Sequence, residues 1–255
     1  MKKLLNVLVL VLLAVSTVTL TSCGGNDDKF KVGLICLHDE SSTYDKNFID
    51  SMYRAIDQLG LSEDQLELVT GIGEDNTCYE KASELAQTCD IIFADSFGHE
   101  DFMIQAAEEN EDVWFCHSTG TKAHTKNLDN YFNAFASIYE GRYLAGIVAG
   151  MKLNEMINNG DITPEQAVMG YVGAFPYAEV VSGYTSFYLG AKSVCPSVTM
   201  KVRYTSSWYD FDKEKSAAEA LMQNDGCVLI SQHADSYGAP EACEAAGVPN
   251  VAYNG

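Results

Sequence analysis

Acidic and aromatic side chains recur just after the apolar runs of this 255-residue chain, and together they have a recognisable chemistry. An aromatic face stacks on a flat heterocycle, while a carboxylate accepts hydrogen bonds from exocyclic amines or ribose hydroxyls. Phe48, Phe97, Trp208 and Tyr209 are candidate faces, and Asp39 and Asp235 are candidate acceptors. Phe48 and Phe97 also suit core positions at the starts of their elements, which is where aromatics more often go. Trp208 and Tyr209, with Ser206, Ser207 and Asp210 around them, are better placed for a loop that meets a ligand.

Arrangements that would carry a reaction are scarce. The five histidines, His38, His99, His117, His124 and His233, show no H-E-x-x-H spacing, and neither a G-x-S-x-G elbow nor a phosphate-binding G-x-x-x-x-G-K-[ST] loop occurs. Gly71-Ile72-Gly73 is too short to count as a dinucleotide fingerprint. His233 beside Asp235 would suit part of a general base, but hydrogen bonding to a ligand or a satisfied loop histidine is the plainer reading. No cofactor, metal ion or catalytic residue is expected.

The elements that must position these residues follow from hydrophobic periodicity. Residues 31–37 read as a buried strand, 45–59 as a helix, 66–70 as a strand and 79–87 as a helix. The pattern then repeats through 90–94, 102–109 and 113–117. A second series starts after Asn130: helix 139–157, strand 167–172, helix 178–194, strand 198–204, helix 212–223, strand 227–232, helix 239–246 and strand 250–253. Alternating strands and helices imply an α/β fold with mostly parallel sheets. Two such series predict two lobes, an N-terminal one over residues 30–133 and a C-terminal one over 134–255. Ligands of open parallel sheets sit beyond the carboxyl ends of the strands. The loops after Leu37, Phe93, Val172, Tyr204 and Ile230 are therefore the candidate cleft, and they carry His38 to Tyr44, Asp95 to Gly98, Phe175-Pro176, Ser206 to Asp210 and Gln232 to Ser236.

Composition narrows the partners. The formal net charge is −20, with 36 acidic residues against 16 basic ones, two of which are Lys2 and Lys3 near the start. Such a chain repels polyanions and has no Lys/Arg cluster to override that field, so nucleic acid is excluded as a partner and free nucleotides are poor candidates. A neutral or cationic small molecule fits better. Lys2 and Lys3, the apolar run from Leu4 to Leu20 and Leu20-Thr21-Ser22-Cys23 have the layout of an export signal. The last four residues resemble the lipobox of bacterial lipoproteins, which implies a signal peptide over 1–22, acylation of Cys23 and anchoring in the cell membrane, with 23–29 as a lipidated tether. Cys36, Cys116 and Cys227 lie in or beside apolar strand-like runs, and Cys78 and Cys89 bracket a helix at a separation of roughly 16 Å, too far to bridge. A disulfide framework is not expected, and the absence of C-x-x-C argues against zinc.

Seven segments stand out together: Asp45-Lys46-Asn47-Phe48, Ser96-Phe97-Gly98, Tyr139-Glu140-Gly141-Arg142-Tyr143-Leu144-Ala145-Gly146, Phe175-Pro176 with Glu179-Val180, Leu189-Gly190-Ala191-Lys192, Trp208-Tyr209-Asp210 and His233-Ala234-Asp235-Ser236. Through them the chain, from Lys31 to the last residue, resembles the basic membrane protein family of ABC-transporter substrate-binding lipoproteins, which includes the purine nucleoside receptor type. The resemblance implies a type I periplasmic-binding-protein fold, two Rossmann-like lobes with the ligand held between them. By motif position it implies a base sandwiched between Phe48 and Trp208 and hydrogen-bonded by Asp39, with Ser96, Phe97 and Asp235 in pocket loops. The branch carrying Ser-Phe-Gly and His-x-Asp-Ser implies adenine or a related purine. Ile49, where many members have Asn, and Glu40-Ser41 after Asp39, where others have glycine-rich sequence, are departures. Members usually continue for many tens of residues past the strand at 250–253, so the expectation is a truncated product whose return to the first lobe is incomplete.

The function so implied is non-enzymatic: capture of a purine base or nucleoside outside the cytoplasm and its delivery to ABC permease subunits. Riboflavin or an amino acid as ligand, and a secreted nucleoside hydrolase, are the competing readings.

Overall fold

Two parallel sheets, each with helices on both faces, build the protein. The structure is a computed structural model describing residues 29–254; the expected leader, Cys23 and the tether up to residue 28 lie outside the described residues. The first sheet contains β1 (Val32–Ile35), β2 (Leu66–Val69), β3 (Ile91–Ala94), β4 (Trp114–Ser118) and β5 (Tyr131–Ala134), in the order β2-β1-β3-β4-β5. Its connections run through α1 (Thr43–Leu59), α2 (Asn76–Leu85), α3 (Glu100–Glu109) and the single turn α4 (Ala123–Lys126). Next, α5 (Ile138–Asn159) leads into the second sheet, made of β6 (Val168–Gly173), β7 (Thr199–Tyr204), β8 (Leu229–His233) and β9 (Asn250–Val251) in the order β7-β6-β8-β9. There the connections are α6 (Ala178–Val194), α7 (Phe211–Gln223) and α8 (Gly238–Ala246). Every strand pairing is parallel.

The strand sequences account for this layering. All four residues of β1 are buried, as a strand covered on both faces requires. Leu34 and Cys36 pack with Ile49 of α1 on one side, while Ile35 joins Leu85 of α2 and Met103 of α3 on the other. In the second sheet, Met169 and Tyr171 face Leu153 of α5 and Phe187 of α6. Val172 faces Leu221 of α7 and Cys243 of α8. The period-2 alternation thus feeds two separate cores per sheet.

Local signals set the helix ends. Ser42 caps α1 by accepting from the Asp45 N–H at 3.3 Å, and Gly60, at φ 69°, closes it in the left-handed conformation. Asp210 caps α7 through the Lys213 N–H at 3.0 Å. Two elements had no sequence signal, α4 and β5. The stretch before β5 is polar and aperiodic, and β5 is an edge strand of four residues held in register by β4, Phe115 opposite Tyr131. The final strand ends at Val251, two residues earlier than the periodicity suggests, which leaves Tyr253 outside the ladder. The seven described cysteines are free thiols. Among the described residues no helix is long and apolar enough to cross a membrane.

Candidate functional site

The carboxyl ends of the strands from both sheets converge on one cavity. From the first sheet, Leu37 and His38 follow β1, Tyr44 and Asp45 open α1, Ser96 and Phe97 follow β3, and Thr119 follows β4. From the second, Glu179 lies in the first turn of α6, Trp208 follows β7, His233 ends β8 with Asp235 just beyond, and Tyr253 follows β9. This is where parallel α/β sheets bind ligands, because the loops there are free of ladder hydrogen bonds and can differ without disturbing the core.

The two halves touch across the cavity. The Thr43 Oγ1 donates to the Asp235 carbonyl at 3.2 Å, and the Asn47 side-chain amide donates to the Asn254 carbonyl at 3.2 Å. Phe97 stacks on Tyr177 at 5.4 Å between ring centroids. Tyr177 stacks in turn on Phe175 at 5.0 Å, and Trp208 meets Phe175 edge-on at 5.2 Å. A continuous aromatic wall therefore joins the loop after β3 to the loops after β6 and β7.

Acids line the opposite parts. Asp45 is buried and accepts the His38 N–H at 2.8 Å. Burial disfavours its charge, but hydrogen bonds from His38 and Ser42 outweigh that and hold its carboxyl below the ordinary range. Behind it, burial and then the charge of Asp45 push the Asp95 carboxyl well above that range. Asp235 is raised likewise, first by burial and then by Asp45, Glu214 and Glu179. His233 lies with its Nε2 3.6 Å from a Glu179 carboxylate oxygen and its ring 4.2 Å from that of Tyr253. Burial holds the His233 imidazole below its ordinary pKa despite Glu179, which favours the neutral ring. Cys36, Asp45 and Asp95 each bring one ligand atom within 4.8 Å of the others. Burial raises both the Cys36 thiol and Asp95, so two of these three groups favour their protonated forms and only Asp45 is held as an anion.

Of the six expected site residues, Ser96, Phe97, Trp208 and Asp235 line the cavity, and Asp39 and Phe48 do not. Asp39 is exposed, and its carboxylate folds back onto its own loop, accepting from the Ser41 N–H at 2.9 Å and the Ser41 hydroxyl at 2.6 Å. Asp45, six residues on, is the acid of this segment that lines the cavity. Phe48 packs on Tyr44 with ring centroids 5.0 Å apart and lines a neighbouring groove with Phe135 and Ile138. Phe48 and Trp208 thus line two adjoining spaces that share Tyr44, Thr119, Glu179 and Tyr253, and Tyr44 is the ring that α1 contributes to the cavity. Tyr209 stacks on His38 at 5.4 Å without lining the cavity. Asp45, Glu179 and Tyr253 carried no site signal beyond their place in loops and quoted motifs.

The loops of both parallel sheets thus wall one cavity with aromatic rings and acids. A profile of the family described as "ABC transporter substrate-binding protein PnrA-like" matches residues 32–252, and the chain belongs to that family. A Haloferax volcanii protein named as an ABC transporter glucose-binding protein is 39% identical over 165 residues, 65% of this chain and 38% of that protein. A purine-binding protein of Brucella abortus is 39% identical over 158 residues, 62% of this chain and 41% of its own length. The chain therefore spans about two fifths of the length of these relatives. The fold matches a solute-binding protein of an ABC transporter system from Aeropyrum pernix with a TM-score of 0.71 at 17% identity, covering 88% of this chain and 61% of that one.

Proposed function

We propose that this chain is the extracytoplasmic ligand-binding subunit of an ABC importer, held at the membrane by lipid on Cys23, and that it captures a purine base or nucleoside of the adenine type. One observation carries the reading: flat rings, Tyr44, Phe97, Trp208 and Tyr253, and carboxyl groups, Asp45, Glu179 and Asp235, line the same cavity. Rings grip a planar heterocycle by its faces, and carboxyl groups read its amino and hydroxyl donors around the edge. The purine-binding name of the Brucella relative supports the same ligand class.

Capture works through closure. A ligand bridging the lobes touches both at once only when they are closed, so binding favours the closed arrangement by that difference in contacts. The bonds from Thr43 to Asp235 and the stacking of Phe97 on Tyr177 are contacts such closure uses. An amino acid fits less well, because its carboxylate lacks a cationic partner: Lys46 pairs with Asp50 and Arg203 with Asp225, and neither lines the cavity.

A thermal-shift series with adenine, adenosine, inosine, glucose, riboflavin and amino acids tests the assignment. A ligand at 100 times its Kd stabilises by about 2.7 kcal/mol, so adenine or a nucleoside is expected to raise the unfolding midpoint clearly. A shift with glucose, riboflavin or an amino acid and none with purines refutes the purine reading. Release of free base from adenosine or inosine during the same incubation would support the hydrolase reading instead.

A further inference from the structure

Beside the acids and rings of the cavity stands a hydroxyl that the protein leaves unpaired. Thr119 follows β4, and its Oγ1 is buried without a hydrogen-bond partner among the described residues. The residue lines the cavity and the adjoining groove alike, together with Tyr44, Glu179 and Tyr253. A buried hydroxyl left unpaired costs free energy, so it marks a place where something else completes the bonding. Two neighbouring hydroxyls are already engaged. The Tyr44 phenol donates to the Asp95 carbonyl at 2.8 Å, and the Ser96 hydroxyl donates to a Glu74 carboxylate oxygen at 2.6 Å.

The backbone is held in a costly conformation at this residue. Thr119 has φ 64°, and of the four described non-glycine residues with positive φ it is the one with a β-branched side chain. Bonds on both sides fix it there. The Thr119 N–H donates to the Ala134 carbonyl at 2.9 Å, while the Thr121 and Lys122 N–H groups donate to one Glu100 carboxylate oxygen at 2.6 and 2.7 Å. Gly120 between them has no room for a side chain, since an added Cβ would stand 2.3 Å from His117 Nδ1 and 2.4 Å from Glu100 Oε1. Strain that the surroundings over-determine in this way gathers at ligand contacts. The loop thus presents the Thr119 side chain from a fixed backbone.

The acid nearest in the chain's first lobe leaves a defined task for this hydroxyl. Hydrogen bonds from His38 and Ser42 hold Asp45 as an anion, which can only accept. An anion serves the amino group of a purine but not its ring nitrogens, which are acceptors themselves and need a donor. We propose that Thr119 is a specificity-determining residue whose hydroxyl donates to a ring nitrogen of the bound purine. The assignment rests on the purine reading and adds the acceptor that the first sheet recognises.

Isothermal titration calorimetry of the whole chain with adenine or adenosine, whichever binds, and with the 1-deaza, 3-deaza and 7-deaza analogues of that ligand decides the matter. Each analogue replaces one ring nitrogen by C–H and keeps the shape. One of the three is expected to bind the parent about tenfold more weakly than the unmodified ligand, the worth of one hydrogen bond lost in an enclosed site. Thr119→Val keeps the branched shape without the hydroxyl. It is expected to weaken the unmodified ligand by the same factor of about ten and to leave that one analogue unchanged, whereas Thr119→Ser retains the parent affinity. Thr119→Gly also lacks the hydroxyl and lifts the backbone strain, so it carries the same comparison should the valine variant not fold. All four ligands binding the parent alike overturns the role of Thr119 and leaves the purine reading intact. So does a folded hydroxyl-free variant that changes all four affinities by an equal factor or by none. No binding of adenine or adenosine by the parent refutes the purine reading itself, and this assignment with it.

Discussion

Trp208 shows what a single side chain contributes here. Half-buried in the loop after β7, its indole meets Phe175 at 5.2 Å and Tyr177 at 6.0 Å, and one part lines the cavity. It rests on loop neighbours rather than in a core, so its loss should cost binding more than folding. Trp208→Ala is expected to weaken binding of whichever purine shifts the midpoint most by about 1 to 3 kcal/mol, roughly fivefold to 150-fold in Kd, with an unchanged far-UV spectrum. Asp39→Ala is the contrasting case. Its carboxylate is committed to Ser41 on the surface, so calorimetry should return the parent Kd. Affinity lost on Asp39→Ala but kept on Trp208→Ala would reverse the placement of the site.

At the scale of elements, the tightest packing is between α5 and α6, and glycine makes it possible. A Cβ on Gly146 would stand 2.0 Å from the Phe187 carbonyl oxygen, and one on Gly190 would stand 2.1 Å from that of Tyr143. Backbone cannot yield as a flexible side chain can, so the helices must separate to accept either methyl group. Gly146→Ala is expected to cost about 1 to 3 kcal/mol in urea unfolding, even though alanine is the better helix former. Gly141, on the same helix, has nothing within 4 Å of its added Cβ, and Gly141→Ala should gain about 0.5 to 1 kcal/mol. Opposite signs for the same chemical change on one helix would be the mark of close approach. Arg142 and Glu179, which stand at or behind the cavity wall, ride on these two helices, so their spacing also sets the site.

For the molecule as a whole, stability depends on how acids are buried beneath the cleft. Glu214 of α7 is fully buried and accepts the Asp210 and Ser236 N–H groups, each at 3.2 Å, which ties α7 to the loop that carries Asp235. Burial pushes its carboxyl from an ordinary value of 4.5 up to about 7, despite those donors. Between these two values the native chain keeps a proton that the unfolded chain has released. The contribution is therefore complete below pH 4.5 and declines as the pH rises to about 7, by roughly 3 kcal/mol at most. Glu214→Gln removes the titration. Comparing urea unfolding at about pH 5 and about pH 7.5, the variant should lose less stability than the parent on going to the higher pH. An identical loss in both proteins would mean that Glu214 titrates normally.

The alternation of buried strand and amphipathic helix was readable from residue order, because periodicity and capping act over one or two turns of chain. Ser42 before α1 and Gly60 after it mark that helix without knowledge of anything distant. The sequence also placed Ser96, Phe97, Trp208 and Asp235 in loops beyond strand ends, where the cavity forms. Only the tertiary structure decided which of several similar residues reach it. Asp39 and Asp45 lie six positions apart in one loop-helix junction, and a local turn through Ser41 holds the first at the surface while the first turn of α1 buries the second. Tyr44 and Phe48 share a helix face, yet only Tyr44 stands at the cavity while Phe48 lines the neighbouring groove. Likewise β5 exists because β4 offers it an edge. Short-range propensities write the elements, whereas the direction of a side chain at their ends depends on where two sheets, far apart in sequence, come to face each other.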